Sequence, residues 1–189
     1  MEGEYYKSKE SVEEYIKLAK EVNGSELIEK FSEFLPTDSL LLEIGSGPGT
    51  DWEILNKSYN VTGSDNSTEF LSHLNNKYPK EEFLFLDAIT LQTSQNFDGI
   101  YSNKVMHHLR DNELIESIKR QQDILNHDGI ICHSFWKGQG SEIFKGLFVN
   151  YHTKDSLMKL YQDSFEILYF EAYDEFDNED SLLLIAKKK

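Results

Sequence analysis

Three glycines at alternate positions, Gly45, Gly47 and Gly49, stop an apolar run, Leu40-Leu41-Leu42-Glu43-Ile44. Lacking Cβ atoms, such a loop turns tightly and lets a ligand approach the backbone. The helix start that follows offers unpaired N–H groups to a polar or anionic ligand group. Alone, this is an ordinary strand-to-helix turn. Two acids stand in step with it. Asp65 lies twenty residues after Gly45 and closes a second strand-like run, where a carboxylate accepts hydrogen bonds from ribose hydroxyls. Asp87 closes a third, Phe83-Leu84-Phe85-Leu86, within reach of an adenine amino group on the same ligand. Taken singly, each acid is more often a solvated strand end or a cap. In succession, the three strand ends describe a nucleoside site. His107 and His108 follow a fourth run. An imidazole titrates near working pH and serves as a general base; packing beneath the ligand is the plainer role for each. With His133 they show no ligand spacing such as H-x-x-x-H, so no metal is expected.

The elements that must position these residues follow from periodicity. Residues 8 to 35 read as two helices. Val12, Tyr15, Ile16 and Ala19 recur at helical spacing, as do Leu27, Ile28, Phe31 and Phe34, with Asn23-Gly24-Ser25 between them. Ser25 is expected to cap the second helix and Pro36 to end it. The near-continuous run 40–44 suits a strand buried on both faces. Further strands are expected over 59–64, 83–86, 97–102 and 129–135, with helices over 67–77, 111–126 and 153–162. Alternation of this kind predicts an α/β fold with a doubly wound, mostly parallel sheet and helices on both faces. The chain closes with two strands, 165–173 and 182–186. They are joined by a stretch in which six of ten residues, 171–180, are acidic, and which reads as a solvated hairpin turn. No linker or repeat divides the 189 residues, so one domain is expected over 1–189, with 1–35 as an N-terminal helical cap.

The spacing G-x-G-x-G, with Glu43 two residues before Gly45, resembles the first motif of the class I, Rossmann-like S-adenosylmethionine-dependent methyltransferases. A dinucleotide loop would place its third glycine at Thr50. The resemblance runs from about residue 38 to the C-terminus. It implies cofactor contacts from Glu43, Gly45, Ser46, Gly47, Gly49, Asp65, Asn66, Asp87, Ala88, Ser102 and Asn103. It also implies a seven-stranded sheet in the order 3-2-1-4-5-7-6, with strand seven antiparallel. Leu125-Asn126-His127-Asp128-Gly129 resembles the family's L-x-P-G-G turn, with Asp128 in place of the first glycine and no proline. The N-P-P-Y pattern of relatives that methylate bases or glutamine amides is missing at Asn103-Lys104-Val105-Met106. The resemblance therefore implies a small-molecule methyl acceptor, with S-adenosylmethionine as cofactor. A non-catalytic sensor of S-adenosylmethionine, or a partner subunit, would need the same residues. A nicotinamide-dependent oxidoreductase fits less well: four residues after Tyr101 stands Val105, not lysine.

Composition sets bounds on partners. A net charge of −15 opposes nucleic acid and an anionic membrane surface. No apolar run approaches the roughly 18 residues of a spanning helix. Met1-Glu2-Gly3-Glu4 does not read as a signal peptide, and the single Cys132 rules out an internal disulfide, so a cytoplasmic setting is expected. Methyl transfer is an in-line displacement that rests on positioning and exclusion of water, so the acceptor pocket is only faintly written. Tyr5 and Tyr15 near the N-terminus, and Trp136 after the fifth strand, are its candidates. Gly138 and Gly140 suggest a lid over 137–152 or an ordinary surface loop. Phe144, Leu147, Phe148 and Val149 suit either a helix packed on the sheet or the face of a homodimer.

Overall fold

The computed structural model describes residue 6, residues 8–19 and residues 23–189. Two helices, α1 (Lys9–Leu18) and α2 (Ser25–Ser32), precede the first strand, β1 (Leu40–Ile44). Then follow α3 (Thr50–Leu55), β2 (Asn60–Asp65), α4 (Thr68–Lys77), β3 (Phe83–Phe85), β4 (Phe97–Ser102), α5 (Asp111–Ile124) and β5 (Leu125–Trp136). The chain ends with β6 (Ser141–Phe144), β7 (Leu147–Asn150), α6 (Lys154–Tyr161), β8 (Phe165–Tyr173) and β9 (Ser181–Lys188). Ser25 is the first residue of α2, and Gly24 holds the capping position assigned to it from sequence.

Seven strands form one sheet in the order β3-β2-β1-β4-β5-β9-β8. β1 pairs parallel with β2 and with β4, and only β9 runs antiparallel to β5 and β8. This is the expected order, with β8 and β9 as the closing pair. Side chains alternate between two cores, as the two-residue period of a strand requires. Leu42, Ile100, Ile131 and Leu184 face α5 and α6, where Leu114, Ile118, Leu157 and Tyr161 meet them. Leu41, Tyr101, Cys132 and Ile185 face the other way, toward Leu27, Ile28 and Phe31 of α2. Each such side chain contributes about 1.5–3 kcal/mol by leaving water.

Local details add to or depart from expectation. The helix runs directly into β5, so the strand begins at Leu125 rather than 129. Asp128 takes φ 60°, the left-handed conformation that the family's glycine favours and that aspartate tolerates. Residues 141–150 form a hairpin, not a helix. Lys145 (φ 49°) and Gly146 (φ 80°) make a two-residue turn with both φ positive, which matches the twist of paired strands. Val149 of this hairpin is buried, while Ile143 and Phe144 are exposed.

A polar chain crosses the core. The Ser102 hydroxyl lies 2.8 Å from His133 Nδ1, and His133 Nε2 lies 2.9 Å from Gln121 Oε1. The amide oxygen only accepts, so Nε2 donates and Nδ1 accepts. Burial holds the His133 imidazole neutral and depresses its pKa to about 3. Between that value and its unfolded value of about 6.5, the unfolded chain binds the extra proton, so acid destabilises the fold. We expect His133 to make stability fall by about 1.4 kcal/mol per pH unit from pH 6 to 4. Urea unfolding should show that slope reduced by about one proton in His133→Gln; an equal slope would show that His133 titrates normally.

Candidate active site

The parallel strands deliver their carboxyl ends to one edge. There the glycine loop leaves β1 with Gly45, Gly47 and Gly49 all at positive φ. A Cβ on Gly49 would lie 2.7 Å from Leu74, so that glycine allows α3 to pack on α4. A Cβ on Gly47 would meet no atom of the described residues within 4 Å, because Gly47 lines the cavity. Asp65 holds this loop. Its Oδ2 accepts from Gly47 N–H at 2.9 Å and its Oδ1 from Ser67 N–H at 2.8 Å. Burial raises the Asp65 carboxyl above its ordinary range, against the pull of these donors. Asp87 Oδ1 accepts from the N–H groups of Ile89 and Thr90.

Two adjoining cavities open along this edge. The larger, about 430 Å³, runs past Asp65, Asn66, Asp87 and Ala88 to His108, Arg110 and Phe148. The smaller, about 310 Å³, is lined by Glu43, Ser46, Asp51, Trp136, Glu175 and Phe176, among others. Tyr15, Gly45, Gly47, Asn103 and Lys104 wall both. A ligand laid along the strand ends thus spans a nucleoside-sized space and continues beside Glu43.

Glu43 is 2% exposed, and among the described residues its Oε2 has no hydrogen-bond partner. Burial, with Asp51 and Asp65 nearby, pushes its pKa up to about 8. A buried carboxylate without a cation protonates; Glu43 lines the smaller cavity. Asp51 has no such vacancy. It accepts from Gly24 N–H at 2.7 Å, Tyr101 Oη at 2.8 Å and Asn103 Nδ2 at 3.0 Å. Asn103 Oδ1 accepts in turn from Ser134 Oγ at 2.6 Å. Three elements, α2, β4 and β5, are thereby tied at the wall between the cavities.

His108 and His107 part company. His108 Nδ1 lies 2.8 Å from the Phe148 carbonyl, which only accepts, so Nδ1 carries the proton and Nε2 keeps its lone pair. Burial lowers its pKa and keeps the ring neutral. His107 is buried, lines neither cavity, and has its pKa driven well down by burial and by His108. Gly49 and Ser102 likewise line neither cavity: Gly49 packs on α4, and the Ser102 hydroxyl is taken by His133. Tyr5 lies outside the described residues. Asp51, Lys104, Glu175 and Phe176 escaped sequence reasoning. The only hint was the acidic run, whose folding over the cavity no local pattern shows.

Residues 41–129 match the family model of a methyltransferase domain. That stretch is a methyltransferase domain. That decides against the nicotinamide reading. A search of curated proteins finds no match by sequence. Solved structures share the fold. A Burkholderia thailandensis 1,6-didemethyltoxoflavin-N1-methyltransferase, with 1,6-didemethyltoxoflavin and S-adenosylhomocysteine bound, superposes with TM-score 0.78 at 17% identity, over 95% of this chain and 84% of that one. An S-adenosylmethionine-dependent methyltransferase of Clostridium acetobutylicum gives 0.76 at 15% identity, over 93% and 96%. The N-methyltransferase NodS of Bradyrhizobium japonicum, with S-adenosylhomocysteine bound, gives 0.69 at 15% identity, over 87% and 84%.

The methyltransferase has room for its cofactor on two counts: the open space at Gly47 and the unpartnered oxygen of Glu43. Pairing Glu43 with the cofactor's ammonium group would ionise it and release a proton. We expect S-adenosylhomocysteine binding at pH 7 to release close to one proton, and affinity to rise with pH up to about 8. Calorimetry in phosphate and Tris buffers should detect that proton in the parent and lose it in Glu43→Gln. Equal release in both would place the titrating group elsewhere.

Proposed function

We propose that this methyltransferase transfers the methyl group of S-adenosylmethionine to a small-molecule acceptor. The observation that carries this reading is the pair of joined cavities, one with acids suited to a nucleoside and one with a carboxylate awaiting a cation. When bound, the cofactor supplies an electrophilic methyl on a sulfonium centre. In this reading Asp65 accepts from ribose hydroxyls and Asp87 from the adenine amino group. Asn66 and Ala88 wall the nucleoside space; Glu43 takes the ammonium group; Gly45, Ser46, Gly47 and Asn103 line the path between. His108 receives the acceptor's proton at Nε2, because its tautomer leaves that nitrogen free to accept. Tyr15 and Trp136 bound the acceptor space, and α1 and α2, within an N-terminal cap over 1–35, cover the edge of a single domain.

A small acceptor is supported by the cavity volumes and by the structural neighbour crystallised with 1,6-didemethyltoxoflavin. A net charge of −15 opposes a nucleic-acid substrate. Among the described residues no helix is long and apolar enough to cross a membrane, which suits a cytoplasmic setting.

Two outcomes test the reading. S-adenosylmethionine and S-adenosylhomocysteine at about 100 times Kd should each raise Tm by roughly 5–10 °C, while NAD⁺ and NADP⁺ leave it unchanged. A rise with the nicotinamide cofactors alone would sink it. Asp65→Ala should weaken S-adenosylhomocysteine about tenfold or more by calorimetry, since a hydrogen bond to a charged group contributes about 1.5–3 kcal/mol. Parent-like affinity would move the ribose elsewhere.

A further inference from the structure

The acidic turn between β8 and β9 folds against the smaller cavity. Its acids build its shape. Asp180 accepts from the N–H groups of Glu175, Phe176 and Asp177, at 2.9, 3.1 and 3.2 Å. Asp174 accepts from Glu179 N–H at 2.6 Å. Lys137 ties its outer side, with Nζ 2.8 Å from Glu179 Oε2 and its backbone N–H donating to the Asp180 carbonyl at 2.7 Å. A second ion pair holds the side that faces the cavity. Lys104 Nζ lies 3.2 Å from Glu175 Oε2, with both side chains largely buried. The Tyr173 hydroxyl donates to the same oxygen at 2.8 Å. Lys104 also donates to Ser181 Oγ at 2.5 Å and to the Phe135 carbonyl at 3.3 Å. Its Nζ sits 3.5 Å from the centre of the Trp136 ring. Trp136 stacks on Phe176, with centroids 6.0 Å apart and planes 29° apart. Phe176 stays 71% exposed, and it lines the smaller cavity together with Trp136.

We propose that Lys104 is a positioning residue, and that the Trp136–Phe176 pair it seats is the wall against which a planar aromatic or heteroaromatic acceptor lies. The proposal rests on the methyl-transfer reading above. Aromatic rings favour tilted or offset arrangements with centroids about 4.5–7 Å apart. The pair already adopts that spacing, so a flat acceptor extends the stack while a puckered one does not. Glu175 neutralises Lys104, so the wall adds no net positive charge. Without the Lys104–Glu175 pair the turn keeps its internal hydrogen bonds and its outer tie to Lys137, but loses the contact that seats Phe176 beside the cavity.

The sequence holds two tryptophans, so in a Trp52→Phe background the emission of Trp136 reports the wall alone. With S-adenosylhomocysteine saturating, quinoline and an uncharged saturated bicycle of similar size, decahydro-2-naphthol, are titrated separately. Quinoline should quench Trp136 and bind about tenfold tighter than decahydro-2-naphthol, the scale of one stacking contact. Lys104→Met should shift the Trp136 emission to the red and abolish that preference, while Lys104→Arg restores both. Glu175→Gln keeps the side-chain shape and should behave as Lys104→Met does; it carries the test if Lys104→Met fails to fold. Equal binding of the two probes by the parent overturns the proposal. So does unchanged emission and quinoline affinity in the variants. Failure of the parent to bind S-adenosylhomocysteine would instead overturn the methyl-transfer reading.

Discussion

Parallel pairing of β1 with β2 on one side and β4 on the other brings the strand ends to one edge of the sheet. The register sets Glu43 beside Gly63 and Tyr101. Gly63 leaves room there for Ser46, whose hydroxyl accepts from Ser64 N–H. Tyr101 carries its hydroxyl to Asp51, at the start of α3. The loop, the first helix after it and the exit of β4 are therefore held as one unit before any ligand arrives. Such preorganisation suits a displacement reaction, in which the protein contributes alignment and the cofactor contributes the leaving group.

Charge is distributed with the same economy. The chain carries fifteen more acids than bases, yet the acids at this edge are largely committed to donors. Asp65, Asp87 and Asp180 accept backbone N–H groups, and Asp51 joins three elements. Glu43 is the exception, with one oxygen left without a partner. A buried acid of this kind costs stability unless it stays protonated or meets a cation. It makes sense where binding completes the pair. Lys104 shows the reverse case: a cation drawn into an aromatic and acidic niche, with burial pulling its pKa down to about 8 against the opposing effect of Glu175.

Much of this was legible from residue order. The strand over 165–173 and the one over 97–102 keep their expected bounds, because apolar runs stopped by turn residues leave little latitude. The hairpin over 141–150 did not read as one. Its apolar residues suit helix or strand equally, and Lys145-Gly146 is not a strong turn signal. The two histidines were indistinguishable in sequence. Only the Phe148 carbonyl, supplied by that hairpin forty residues away, gives His108 a defined tautomer.

Periodicity was sufficient for the α/β class, and the glycine spacing with the two acids for the resemblance that implied the strand order. These features are local: each depends on a strand, its stop and the residue just after it. The walls of the smaller cavity were decided by tertiary structure. Lys104 meets Glu175 across seventy-one residues, Trp136 meets Phe176 across forty, and Asp51 meets Gly24 across twenty-seven. No spacing along the chain encodes such contacts, because they exist only once the antiparallel β9 has carried the acidic turn back to the ends of the parallel strands.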